Sequence, residues 1–240
     1  MSAASPFADD APAQLASDVA AVALWWCSLA APAARRTRFE TWLAPIEHAR
    51  MQRFGTVALQ QRYLVGRATL RWLLGNELGI APADVVIVRG TRGRPRLDGL
   101  PPIDFNVSHT GERMLVGVGR GVRLGVDVER RDRTINTHGI ARKFLTEGER
   151  AALADAADAA RQQVLRLWTC KEALSKATGD ALSAPFGRIA IALEPAPRVI
   201  AGPPPYTPPA WSLHALDAGA EHFATLALWH GYDAADRAAR

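Results

Sequence analysis

Four short stretches carry residue types whose spacing suits chemistry on phosphates and metal ions. The first is LGVDVE, Leu124 to Glu129. On a strand, residues two apart point to the same face, so Val126 and Val128 face one way and Asp127 and Glu129 the other. Two carboxylates about 7 Å apart along a strand repel unless something cationic lies between them. A hard divalent ion such as Mg²⁺ would satisfy both; so would a solvated edge strand whose acids pair with Arg123 or Arg130. The second is RLWTCKEALSKATG, Arg166 to Gly179. Leu167, Cys170, Leu174 and Ala177 mark a buried helical stripe, while Trp168, Glu172 and Lys176 recur every four residues and share another face, flanked by Lys171. An exposed Glu–Lys pair is the plain reading of that face. The indole beside it argues instead for a half-buried ligand site.

The third stretch is FNVSHTG, Phe105 to Gly111. Ser108 and His109 are adjacent, so on a strand they point apart and make a poor nucleophile–base pair. At a strand end, His109 suits donation to a phosphate oxygen, or a structural role. The fourth is TRGRPR, with Gly93-Arg94-Pro95 at its centre: arginines in a stiff loop either clamp a phosphate bidentately or form a basic surface. Upstream, Arg50, Arg53, Arg62, Arg67 and Arg71 add positive charge, the last three on one helix.

These residues need elements to hold them. Val19 to Cys27 reads as a buried strand behind a loose leader of residues 1–17. Ala34 to Phe54 reads as loop and short helix. Gln60 to Leu78 follows the 3.6-residue helical period, with Gly79 at the C-cap position. Val85 to Val88 is a short strand, and Thr91 to Leu100 a basic Gly/Pro loop. Phe105–Ser108, Met114–Val118 and Val122–Val128 are β-prone runs, and the Gly119-Arg120-Gly121 turn predicts a hairpin from the last two. Thr146 with Glu149 three residues on predicts a capped helix start. Val164 to Ala177 predicts a helix ended by Gly179. Ala201 to Ala210 is a Pro-rich loop, and Trp211–Leu216 with His222–Trp229 a final hairpin. That order predicts an α+β chain of two halves, each a small antiparallel sheet with a helix, dividing near residue 121 into 18–120 and 121–240.

Composition bounds the remaining classes. The chain has 240 residues, 48% hydrophobic and 22% charged, which excludes a wholly disordered or collagen-like protein. The 29 basic against 24 acidic residues leave a net charge of +5, favouring a polyanionic partner without choosing one. Lysine is scarce: Lys143, Lys171 and Lys176 stand among 29 basic residues, so two of the three sit in the Trp168 helix. Cys27 and Cys170 form no metal spacing and read as buried thiols in a reducing compartment. The apolar run from Val19 to Ala31 is too short for a membrane span, and acidic residues before it do not suit a secretory signal, so a cytoplasmic location is expected. P-loop, dinucleotide, zinc-hydrolase and GxSxG motifs are missing.

Taken in order, the motifs resemble one family: the 4′-phosphopantetheinyl transferases of the larger, Sfp-like type. GRP at 93–95, FNVSHTG at 105–111, LGVDVE at 124–129, KFLTEGE at 143–149 and WTCKEALSKATG at 168–179 follow its pattern, spanning roughly residues 42 to 190. The resemblance implies a pseudo-twofold α+β fold with the site between its halves. It implies transfer of phosphopantetheine from coenzyme A to a serine of an apo acyl or peptidyl carrier protein, with Mg²⁺, releasing 3′,5′-ADP. By position, Asp127, Glu129 and Glu172 would hold Mg²⁺. Lys171 and Lys176 would meet the charged groups of CoA. Ser108, His109 and Arg94 would bind the nucleotide side, and Arg50 the 3′-phosphate. Glu149 would be the base for the serine, with Lys171 beside the reacting groups. A monomer is implied, with no nucleic-acid or membrane partner. Members often carry two basic residues ahead of the first long helix; here Glu47 takes the place of one, leaving Arg53 or His48 to compensate. The competing reading is a non-enzymatic basic module for nucleic acid or acidic proteins, against which the arginines are dispersed and not interleaved with stacking aromatics.

Overall fold

Two glycines in the left-handed conformation, Gly79 (φ 70°) and Gly179 (φ 83°), end the two long helices of the protein. The computed structural model describes residue 7 and residues 11–30, 35–90, 92–99 and 102–232. Helices α1 (Arg36–Glu40) and α2 (Pro45–Gln52) precede α3 (Val57–Leu78), whose N-cap Thr56 accepts from the Leu59 N–H at 3.2 Å. Later come α4 (Thr137–Phe144), α5 (Glu147–Ala151) and α6 (Ala157–Thr178). The Thr146–Glu149 capping box at the start of α5 is formed.

One sheet runs in the order β1 (Ala13–Leu15), β2 (Val22–Ser28), β6 (Arg113–Arg120), β5 (Ile103–Thr110). The other runs β10 (Trp211–Leu216), β11 (His222–Trp229), β7 (Arg123–Arg130). Small hairpins pair β3 (Ile87–Arg89) with β4 (Pro95–Leu97), and β8 (Ala190–Ala192) with β9 (Arg198–Ala201). Every ladder is antiparallel, so the fold is α+β.

The elements stack in four layers. Leu70, Leu73 and Leu74 of α3 pack on Phe105, Val116 and Val118 of the first sheet. The opposite face of that sheet, through Val22, Leu24 and Leu115, meets Leu124, Val126, Val128 and Leu226 of the second. Gly117 and Gly119 make this approach possible, because a Cβ at either would press on Leu124. Leu167, Cys170 and Leu174 of α6 then cover the far face of the second sheet, against Leu213, Ala227 and Trp229.

Three expectations are corrected. β6 and β7 follow one another through Gly121 (φ 70°) but form no hairpin, because β6 is flanked by β2 and β5 while β7 pairs with β11. The free edge of β7 is instead satisfied by side chains. Asp104, Asn106, Ser108 and Thr110 of β5 accept from the backbone N–H groups of Leu124, Val126, Val128 and Arg130 at 2.9, 3.0, 3.3 and 3.3 Å. Each buried donor that a neighbouring strand would have served thus finds a short polar side chain. The leader is not uniformly loose: Phe7 is buried against Phe39 and Trp72, and β1 pairs with β2; residues 1–6 and 8–10 lie outside the described set. The basic loop after residue 91 contains β4, whose Leu97 is buried. No helix among the described residues is long and apolar enough to cross a membrane.

Candidate active site

Gly125 brings α6 onto β7 backbone to backbone. A Cβ there would lie 2.0 Å from the Ala173 carbonyl oxygen and 2.7 Å from the Ala177 nitrogen. This approach sets the Trp168–Glu172–Lys176 face of α6 beside the acidic side chains of β7. Asp127 is 4% exposed. Its Oδ1 accepts from the Ser108 hydroxyl at 2.7 Å and from Lys176 Nζ at 2.6 Å. Lys176 Nζ also donates to Ser108 Oγ at 2.8 Å and to the Val126 carbonyl at 3.2 Å, so its three protons are all directed at β5 and β7.

Two carboxylate oxygens are left over. Asp127 Oδ2 and Glu172 Oε1 are buried without a hydrogen-bond partner among the described residues. Burial, then the negative charge of Asp127, with Glu129 adding and Lys176 opposing, pushes the Glu172 carboxyl up to about 7. Burial and Asp127 also raise Glu129, against the pull of Arg133 and a bond from the Trp168 indole. Buried polar atoms without partners are uncommon in folded proteins. An orphaned oxygen on each of two mutually repelling carboxylates is the donor set a hard cation takes. Asp127 and Glu172 therefore fit Mg²⁺. Glu129 lies near enough to raise Glu172, but its own oxygens are engaged by Arg133 and, at 3.5 Å, by Thr110. No three His, Cys, Asp or Glu side chains among the described residues are gathered as a ready-made cage. Of the three carboxylates expected to converge, Asp127 and Glu172 each present an unpartnered oxygen, while those of Glu129 are bonded to Arg133 and Thr110.

His109, the neighbour of Ser108 on β5, points the other way into a cleft of about 1070 Å³. Arg50, Arg53, Arg62, Arg67 and Arg89 line it, with Tyr63, Phe105 and Met114 among the apolar walls. The ring is exposed at the cleft, yet desolvation by its surroundings, then Lys176, Arg62 and Arg67, pull the His109 pKa down to about 4, so it is neutral near pH 7. A neutral imidazole donates one N–H and adds no charge. Arg89 was not among the sequence candidates; no periodic signal marks it, because β3 brings it to the cleft through tertiary pairing.

Other candidates are spent on the fold. Arg94, expected on a phosphate, is buried: it donates to both Asp104 oxygens at 2.7 and 2.9 Å, to Leu124 O at 2.6 Å and to Lys176 O at 2.8 Å. It bolts β5, β7 and α6 together and has no face for a ligand. Lys171, expected beside CoA, is 0% exposed, with its ammonium shared among Glu149 Oε2 at 2.6 Å, Phe144 O at 2.9 Å and Phe186 O at 2.8 Å. Adjacent helical residues point about 100° apart, so Lys171 and Glu172 diverge. Glu149, expected as base, also accepts from the N–H groups of Thr146 at 2.7 Å and Ile191 at 2.8 Å. Neither residue bonds to Asp127, Glu129 or Glu172; the structure joins them to each other. Glu47 is buried, accepting from Arg67 at 2.8 Å, Arg71 at 2.6 Å and the Ala44 N–H at 3.0 Å. Arg71 turns its remaining donors to the Pro82, Ala83 and Val85 carbonyls and away from the cleft. Cys27 and Cys170 are buried free thiols, pushed up to about 12 and about 11 by burial.

Comparison with known proteins points to one family. A family described as "4′-phosphopantetheinyl transferase, N-terminal" matches residues 32–118, and the 4′-phosphopantetheinyl transferase superfamily matches residues 123–227. The 4′-phosphopantetheinyl transferase HetI of Nostoc sp. is 34% identical over 197 residues, covering 80% of this chain and 81% of HetI. The 4′-phosphopantetheinyl transferase Sfp of Bacillus subtilis is 26% identical over 157 residues, covering 65% of this chain and 69% of Sfp.

Proposed function

The chain belongs to the 4′-phosphopantetheinyl transferase superfamily, an enzyme that moves phosphopantetheine onto carrier proteins, and we propose that it does so by Mg²⁺-dependent cleavage of the coenzyme A pyrophosphate across Asp127 and Glu172. The observation that carries this reading is the pair of orphaned, buried carboxylate oxygens beside the Lys176 ammonium, bonded to Ser108, the chain neighbour of His109 in the arginine-lined cleft.

Phosphoryl transfer needs positioning and charge neutralisation more than covalent help. The oxygen of a carrier serine attacks the phosphorus that bears pantetheine. The bond from that phosphorus to the bridging oxygen breaks, 3′,5′-ADP leaves with the electron pair, and the serine proton is lost to solvent or a nearby carboxylate. Mg²⁺, when bound, neutralises charge on the pyrophosphate. Asp127 and Glu172 would hold it, with Glu129 at the margin. Lys176 covers phosphate charge that the metal does not reach. Ser108 orients Asp127, and Trp168 steadies Glu129. His109 offers one neutral donor to the nucleotide side, while Arg50, Arg53 and Arg62 supply the cationic wall for its phosphates. These arginines fill the place that Glu47 leaves.

Glu149 and Lys171 act in this scheme as a buried strut. They tie α5 and α6 to the Phe144 and Phe186 carbonyls, and so hold the Phe144–Trp168–Phe186 aromatic cluster beside the carboxylates. The basic surface suits electrostatic steering of an acidic carrier protein. The enzyme works as a monomer in the cytoplasm.

The test is direct. Purified protein is incubated with CoA, Mg²⁺ and a panel of apo carrier proteins, and the carriers are weighed by mass spectrometry. A gain of one phosphopantetheine group that vanishes with EDTA is expected. Transfer that persists at full rate in EDTA, or in Asp127→Asn, overturns the metal assignment.

A further inference from the structure

We infer that Lys176 is the resident counter-cation of the carboxylate pair, and that its charge makes the enzyme take up its divalent ion together with the substrate pyrophosphate instead of alone. This rests on the Mg²⁺ reading above.

The argument begins with hydrogen bonds. Lys176 Nζ sits 2.6 Å from Asp127 Oδ1, and its other protons go to Ser108 Oγ and the Val126 carbonyl. None goes to Glu172, four residues back on the same helical face. The ammonium therefore occupies one edge of Asp127 and leaves the opposite edge, Oδ2, bare. Its side chain is about a quarter exposed, so an arriving phosphate can reach the ammonium and take over one of these protons.

Charge completes it. Asp127, Glu129 and Glu172 together carry up to three negative charges, and Lys176 and Arg133 remove two. A divalent ion arriving alone meets a residual field, a fixed positive charge on the other edge of Asp127, and protein oxygens from two carboxylates. Mg²⁺ is ordinarily held by one or two carboxylates plus substrate phosphates, so the protein supplies about half of a coordination shell. A pyrophosphate brings the missing oxygens and at the same time gives Lys176 a new anionic partner. Ion and substrate then stabilise one another. Even through full water, a unit charge about 5 Å from a divalent ion weakens its binding roughly tenfold, and the partly buried setting makes the effect larger.

The experiment measures metal binding and not turnover. Mn²⁺ stands in for Mg²⁺, and free Mn²⁺ is counted by electron paramagnetic resonance with the full chain, with and without saturating CoA and after subtraction of Mn²⁺ held by CoA alone. Wild type is expected to bind weakly alone and far more tightly with CoA. Lys176→Gln is expected to bind Mn²⁺ at least tenfold more tightly than wild type in the absence of CoA, and to gain less from adding it. Lys176→Arg, which keeps a cation, should behave as wild type. Lys176→Met, which keeps the aliphatic stem, serves as second variant if the Gln protein does not fold by circular dichroism. Equal CoA-free affinity in wild type and the neutral variant overturns the inference while leaving the metal reading intact. Absence of Mn²⁺ binding by wild type even with CoA overturns both.

Discussion

Replacing Gly125 by Ala adds one carbon, and the structure says where it would go. The new Cβ would fall 2.0 Å from the Ala173 carbonyl oxygen and 3.1 Å from its carbon. Ordinary contact starts near 3.4 Å, so α6 must retreat by 3.4 − 2.0, or 1.4 Å. The obstruction is helix backbone, which cannot rotate aside as a side chain would. Overpacking of this kind costs about 1–3 kcal/mol, and a backbone clash belongs at the upper end. The same retreat carries Glu172 and Lys176 away from Asp127 and opens the 2.6 Å Lys176–Asp127 contact. A misplacement near 1 Å at a reacting centre costs about 10²-fold in rate. Urea denaturation and carrier modification followed by mass spectrometry measure both quantities. The control is Gly148→Ala in α5, where nothing lies within 4 Å of the added carbon; it should be neutral or stabilise by up to about 1 kcal/mol. If Gly125→Ala stays within about 1 kcal/mol of wild type and keeps its full rate, the claim that close helix–strand contact positions the site is wrong.

Three further outcomes follow from the same geometry. Glu172→Gln should abolish transfer and flatten the pH dependence of stability in EDTA. The folded Glu172 carboxyl titrates at about 7, above its ordinary 4.5, so between these values the native state binds a proton that the unfolded state releases and stability falls as pH rises. Comparing urea midpoints at acid and mildly alkaline pH tests this, and an equal drop in wild type and variant refutes it. Lys171→Met leaves Glu149 buried without its cation and should lose about 3–5 kcal/mol, part of which Glu149→Gln restores in the double variant; a strictly additive cycle by denaturation would deny that the two form a unit. Glu47→Ala strips Arg71 of its buried partner and should lose a similar amount, about 3–5 kcal/mol, with a raised KM for CoA because α2 carries Arg50 and ends on Arg53; an unchanged melting temperature would show that the buried bonds contribute little.

Much of this protein is written in local sequence, because local rules need only near neighbours. Gly79 and Gly179 end helices since a left-handed residue is cheapest as glycine, and Thr146 with Glu149 caps a helix start within one turn. The common face of Trp168, Glu172 and Lys176 follows from the helical period, and the shared side of Asp127 and Glu129 from the pleat. What stands opposite such a face is a different question, decided by residues far along the chain. Arg94 reads as a phosphate clamp until β7 places the Leu124 carbonyl, 30 positions away, on its guanidinium. Lys171 reads as a ligand contact until Glu149, 22 positions earlier, takes its fully buried ammonium. Glu47 looks like a missing cation until α3 folds two arginines onto it. Asp104, Asn106, Ser108 and Thr110 alternate along β5, but nothing local says that they seal the edge of β7 in place of a hairpin partner. Periodicity determines which side of an element a charge occupies; only tertiary packing determines whether that side meets a buried counter-charge or an open cleft, since the desolvation that separates the two is a property of the assembled layers.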